Sequence, residues 1–134
     1  MAFTNRLLLI VPGFGTPIMN DALFLKSGTA IASGSTTTSL AGLTPAIRDG
    51  WIRIKISGGT AGSTLTSYVI QLTDGTTTET CDSQTVVGSP SVVAPAQCVF
   101  IKAFLSELAV TQVNVIIVLG TAGAVLDIEV GASN

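Results

Sequence analysis

The sequence predicts an all-β fold, an antiparallel β-sandwich or jelly-roll-like barrel, on three observations. Residues 51–57 place Ile52, Ile54 and Ile56 on one parity and Trp51, Arg53, Lys55 and Ser57 on the other, the period of two that a half-buried strand requires. Roughly seven to nine short segments rich in Val, Ile and Thr recur along the chain, the rhythm of a sandwich or barrel. Between them stand Gly, Pro and Asp-Gly positions that turn the backbone.

Taken in order, the chain starts with an apolar run at residues 7–11 that Pro12-Gly13 stops after five residues. A signal peptide needs an apolar region of about 7–15 residues, so a first strand over residues 4–11 is the expectation, followed by turns at residues 11–17. Phe24 and Ile31 fall in one or two short strands before the polar stretch 33–39. Gly42, Pro45 and Asp49-Gly50 read as the next connection, with a helical turn at residues 45–48, and the strand of Trp51 follows at once. After the glycine-rich loop 58–63, residues 64–73 form a long strand, with Thr64, Thr66, Tyr68, Ile70 and Leu72 on one parity. Asp74-Gly75 is a hairpin signal, and residues 76–81 supply the return strand.

Val86-Val87 reads as a short strand, and Pro90 and Pro95 bound another connection. Residues 97–105 fit two periods. Alternation sets Cys98, Phe100, Lys102 and Phe104 against Val99, Ile101, Ala103 and Leu105, whereas helical spacing groups Phe100, Phe104 and Leu108. The neighbouring strand signals favour extended structure, interrupted at Ser106-Glu107 and at Thr111-Gln112. Residues 113–119 are apolar on both parities after Asn114, as in a strand covered on both sides. In the last strand, 124–130, Leu126, Ile128 and Val130 oppose Asp127 and Glu129. The whole chain, 1–134, reads as one β-rich structural domain with an arm at 1–20.

Composition narrows the function. Charged residues make up 10% and hydrophobic ones 47% of the chain, against about 25% charged in typical domains. Part of the surface is therefore expected to face another subunit, since interface cores are depleted in charge. The net charge is −2 and the six basic residues are dispersed, so no phosphate-gripping cluster forms and no direct nucleic-acid partner is expected. No apolar run reaches the 18 or so residues of a membrane helix, so no membrane insertion is expected.

The chain has no histidine, which removes histidine-based triads and zinc centres. The glycines of residues 13–15 lack the spacing of a P-loop or dinucleotide fingerprint. Asp74, Glu79 and Asp82 are the densest carboxylates, but they lack the ligand spacing of a calcium loop and read as a solvated hairpin. Asp127 and Glu129 share a strand face without an aromatic sugar platform. No catalytic residue, cofactor or metal site is assigned, and the chain is expected not to be an enzyme. Cys81 and Cys98 fit either one disulfide or two small buried hydrophobes. Trp51, Arg53, Lys55 and Tyr68 are the candidate interface residues: the aromatics could anchor a subunit contact, fill the core or stack on sugar, and the two cations could pair with carboxylates on a neighbour or simply be solvated.

In its low charge, its Ser, Thr, Gly, Val and Ile content and its strand-loop rhythm, the chain resembles small structural proteins of viral particles, especially those that decorate tailed-phage heads. The resemblance rests on composition along the whole chain and carries no motif residue onto a position here. It implies a non-enzymatic protein that decorates or reinforces a capsid or related lattice. It also implies a homo-oligomer, partnered by its own copies and by a capsid or other virion protein, located in the virion and assembled in the host cytoplasm. The alternative is an extracellular β-sandwich module that binds carbohydrate or a receptor through its Ser/Thr/Gly-rich loops.

Overall fold

The computed structural model describes residues 23–132, so the expected strand at 4–11, the turns at 11–17 and the whole of the arm at 1–20 lie outside the described residues. Among the described residues eight strands follow one another: β1 (Leu23–Ile31), β2 (Gly34–Ala41), β3 (Ile47–Ser57), β4 (Thr64–Thr73), β5 (Thr78–Thr85), β6 (Cys98–Val110), β7 (Gln112–Gly120) and β8 (Ala124–Ala132). They form two antiparallel sheets with orders β1-β8-β3-β6 and β2-β7-β4-β5. Only β4 and β5 are both consecutive and paired; every other connection crosses from one sheet to the other. That order is the eight-stranded jelly roll, two Greek keys laid face to face.

The interior follows from side-chain parity. Ile52, Ile54 and Ile56 of β3 and Leu126, Ile128 and Val130 of β8 meet Ile70 and Leu72 of β4 and Val113, Val115 and Ile117 of β7, all fully buried or nearly so. Each such aliphatic side chain contributes about 1.5–3 kcal/mol when withdrawn from water. The sheets are tied at both sides: Lys26 Nζ donates to the Ser39 carbonyl at 3.0 Å, and the Ser106 hydroxyl of β6 donates to the Glu79 carboxylate of β5.

Four expectations are corrected. Residues 45–48 do not form a helical turn, and β3 begins at Ile47, because Ile47 is buried and pairs with Val110. Asp49-Gly50 is strand, not turn. Glycine is needed at 50 for close approach: a Cβ there would stand 2.4 Å from the Gly131 carbonyl oxygen and 3.1 Å from the Phe104 ring. Ser106-Glu107 does not interrupt β6. Ile47 pairs with Val110 and Asp49 with Leu105, so Arg48 faces residues 106–109 in a bulge, held where the Arg48 guanidinium donates to the Glu107 carbonyl. Val86-Val87 is not strand; Val86 N–H bonds the Thr66 carbonyl at 2.9 Å and the chain then turns, leaving Val87 93% exposed.

In β7 one parity is buried and the other, with Ile116 and Val118, is half-buried on the outside of its sheet. The cover expected on both sides of this strand is present on one side among the described residues.

Candidate functional site

Two outer faces remain once the core is closed. On the β1-β8-β3-β6 sheet the register sets out rows of side chains. Leu25, Glu129, Arg53 and Ile101 stand abreast, as do Asp127, Lys55 and Val99, and Gly131, Trp51 and Ala103. The charges of this face answer one another within the chain. Lys55 Nζ lies 4.0 Å from an Asp127 carboxylate oxygen, Arg53 is directly opposite Glu129, and Asp127 also accepts the Gly28 N–H at 2.7 Å where β1 bulges. Trp51 lies flat over Gly131, so close that a Cβ at 131 would fall 2.5 Å from its ring. This is the aromatic cover of a strand glycine.

The row at the end of this sheet differs. β6 is an edge strand with no partner beyond it among the described residues. Its outward parity is Val99, Ile101, Ala103 and Leu105, with Val99 38%, Ile101 68% and Leu105 82% exposed. A long edge with hydrocarbon facing outward is the combination that single-chain proteins usually suppress. On β6 the bulge at residues 106–109 lies beyond this run, whose single charge is Lys102 on the other parity; the other three edges carry suppression of their own. β1 is bulged between Lys26 and Thr29, and β5 is bulged opposite Ile70 and Gln71 and carries Glu79 and Asp82. β2 turns Ser35, Thr37 and Ser39 outward.

The second outer face, on β2-β7-β4-β5, holds no charge along its rows Thr37, Ile116, Val69, Ser83 and Ser35, Val118, Ser67, Thr85. Beside them Asn114 accepts from Ser39 and from Gln112, each at 2.7 Å.

Of the residues named from sequence, Trp51, Arg53 and Lys55 are brought together on one outer face beside the β6 row. Tyr68 is not with them. It faces into the sandwich at 6% exposure, its ring 4.7 Å from that of Phe100, and its hydroxyl donates to Asp82 at 2.9 Å. Burial, with the bond to the Asp82 carboxylate second, pushes its pKa up to about 12. The outward β6 row was not singled out from sequence; its signal was the odd parity of residues 99–105, read there only to choose between helix and strand.

The carboxylates weighed as ligands do not converge. Asp74 caps its own turn, accepting the N–H groups of Thr76 and Thr77 at 2.8 and 2.7 Å, which hold its pKa below the ordinary value. Burial raises Asp82, but bonds from Gln84 and Tyr68 outweigh it and the net shift is downward. Among the described residues no group of three or more His, Cys, Asp or Glu side chains gathers around one point, and no helix is long and apolar enough to cross a membrane.

An open cleft of about 290 Å³ between β5 and β6 is lined by Leu72, Glu79, Cys81, Lys102, Phe104 and Leu105, among others. Cys81 and Cys98 are free thiols, and burial raises both pKa values. They are protonated at neutral pH, the opposite of an activated nucleophile.

No family model and no curated protein matches the sequence. Among solved structures the chain is similar to a chain of infectious bursal disease virus, Gx strain, with a TM-score of 0.52 and 14% identity over 85% of this chain and 32% of that one. It is also similar to the VP2 subviral particle of the same virus, TM-score 0.45 at 14% identity over 85% and 33% of the two chains. A third likeness is to a protein of Bacillus endospore appendages, a novel family of disulfide-linked pili, with TM-score 0.43 and 8% identity over 84% of this chain and 88% of that one. At these identities the likeness is one of fold. The chain spans about a third of the viral chains, 32% of the first.

Proposed function

We propose that this chain is a non-enzymatic structural subunit of a virion or related protein lattice, associating with its own copies and with a capsid or other virion protein. The observation that carries the reading is the outward hydrocarbon row of Val99, Ile101, Ala103 and Leu105 on an edge strand. Exposed apolar rows of this kind mark contact surfaces. The uncharged outer face of the other sheet supports the same reading, since charge depletion characterises interface cores. The jelly-roll fold, shared with a chain of infectious bursal disease virus, is compatible with a place in a virion and leaves decoration of a head as the finer proposal.

The alternative, an extracellular carbohydrate- or receptor-binding module, would use Trp51 and Tyr68 around one groove. Trp51 is laid over Gly131 on one sheet's outside and Tyr68 points into the core from the other sheet, which favours assembly.

The test is light scattering of the purified full chain across micromolar concentrations, with co-sedimentation on particles of its source. A mass that is a multiple of 13.6 kDa, or capture by particles, is expected. A concentration-independent monomer that no particle retains would overturn the proposal.

A further inference from the structure

We propose that the occupant of the β6 edge is a second copy of this chain, its β6 added antiparallel across a two-fold axis at Ala103, so that two four-stranded sheets become one of eight. This deepens the assembly reading and rests on it. Two observations choose edge addition over stacking of sheet faces. The outer face that bears the apolar row also carries Arg53, Lys55, Asp127 and Glu129, and stacking would take all four out of water. Addition along the edge covers the hydrocarbon row sideways, pairs the open backbone groups and leaves those charges wet.

A copy's own β6 is the best match among the available edges. Apolar and β-branched residues gain when they stand opposite their like across a strand pair. The outward residues of β2 are Ser35, Thr37 and Ser39, and β5 offers Thr, Ser, Gln and acidic side chains. β1 is broken by its bulge between Lys26 and Thr29, and only β6 presents an outward run of Val, Ile, Ala and Leu.

The register follows from charge and coverage. Residues directly opposite in an antiparallel pair share a face, so the axis passes through a residue. An axis at Lys102 sets like charges opposite each other, which is destabilising. At Ile101 it leaves Leu105 opposite Gln97, outside the strand. At Phe104 it sets Leu105 against Ala103 and Ile101 against Glu107, so the two most exposed members of the row miss each other. At Ala103 the smallest side chain of the row sits on the axis, Ile101 and Leu105, the two most exposed members, cover each other twice, and Glu107 falls opposite Val99, which is less exposed than either.

The experiment uses the full chain. In the double variant I101K/L105K both side chains are exposed in the single chain, so the variant still melts in one cooperative transition, lowered only by the lost association, while the mass falls to that of a monomer. Separately, A103C in a chain with Cys81→Ser and Cys98→Ser, treated with a mild oxidant or a short bis-maleimide, gives a covalent dimer, and T37C in the same background does not. A wild-type monomer would sink the assembly reading and this inference with it. A wild-type oligomer whose double-lysine variant stays associated, or whose A103C chains fail to link, would overturn the β6 pairing alone. Linking through T37C would place the contact on β2 instead.

Discussion

Tyr68 is the chain's one tyrosine, so its titration can be followed without interference. Its pKa of about 12 stands above the ordinary 10.0, so the folded state holds the phenol proton more tightly than the unfolded state does. The resulting stability is fully present below pH 10 and is lost as pH rises through 12. Tyrosinate absorbance should therefore reach its midpoint near 12; a midpoint near 10 would mean that the phenol is neither buried nor held by Asp82. Tyr68→Phe removes one bond to a carboxylate and should lower stability by about 1–2 kcal/mol, while abolishing the decline between pH 10 and 12. A second residue-scale contact is Trp51 over Gly131. Gly131→Ala puts a methyl 2.5 Å from the indole, and overpacking of that kind costs about 1–3 kcal/mol. Most of the loss should vanish when Trp51→Ala is combined with it, which a double-mutant cycle in chemical denaturation measures; additive losses would show that the indole is not the obstacle.

Among the elements, β3 carries the core of its sheet between two strands. Ile54 is fully buried there, flanked in register by Phe100 and Ile128, so Ile54→Asp buries an unpaired charge and should unfold the domain, seen as loss of the cooperative melting transition. The β4–β5 hairpin depends on Asp74, whose lowered pKa gives stability that is present above the ordinary carboxylate value and lost as pH falls through the lower, folded one. Asp74→Ala should lower the melting temperature at neutral pH and flatten its acid dependence, measurable by melting between about pH 2 and 6. These two elements are also where the sequence was most legible. Isoleucine alternation marked β3, and Asp74-Gly75 marked the single pairing between consecutive strands. What the alternation could not show is where a strand shifts register. In β4 the register slips between Leu65 and Ser67, so Leu65 and Tyr68, of opposite parity in sequence, are both buried. Gly50 looked like a turn because close approach of two backbones and a tight turn select the same residue. The candidate interface was half legible: Trp51, Arg53 and Lys55 share the predicted face, but the edge position of β6 depends on partners distant in the chain.

At the scale of the molecule, the jelly-roll order was out of reach for the same reason. β1 pairs with β8, and β2 with β7, and nothing local in a strand names a partner that far away. The low charge content, by contrast, was visible at once and has a consequence for how copies would hold together. Lys55 Nζ lies 4.0 Å from an Asp127 carboxylate oxygen and Arg53 stands opposite Glu129 in register, so each of these cations has a carboxylate facing it within its own chain. The contact proposed on β6 is made of hydrocarbon and backbone, which added salt does not weaken by screening. Raising salt from about 0.15 to about 1 M shortens the Debye length from about 8 to about 3 Å and would dissolve an association built on exposed ion pairs. Here the oligomer should persist at high sodium chloride and tighten in sulfate, which strengthens apolar burial. Sedimentation velocity across the two salts reads this directly. Dissociation to monomer at high sodium chloride would mean that Arg53 and Lys55, and not the β6 row, carry the contact.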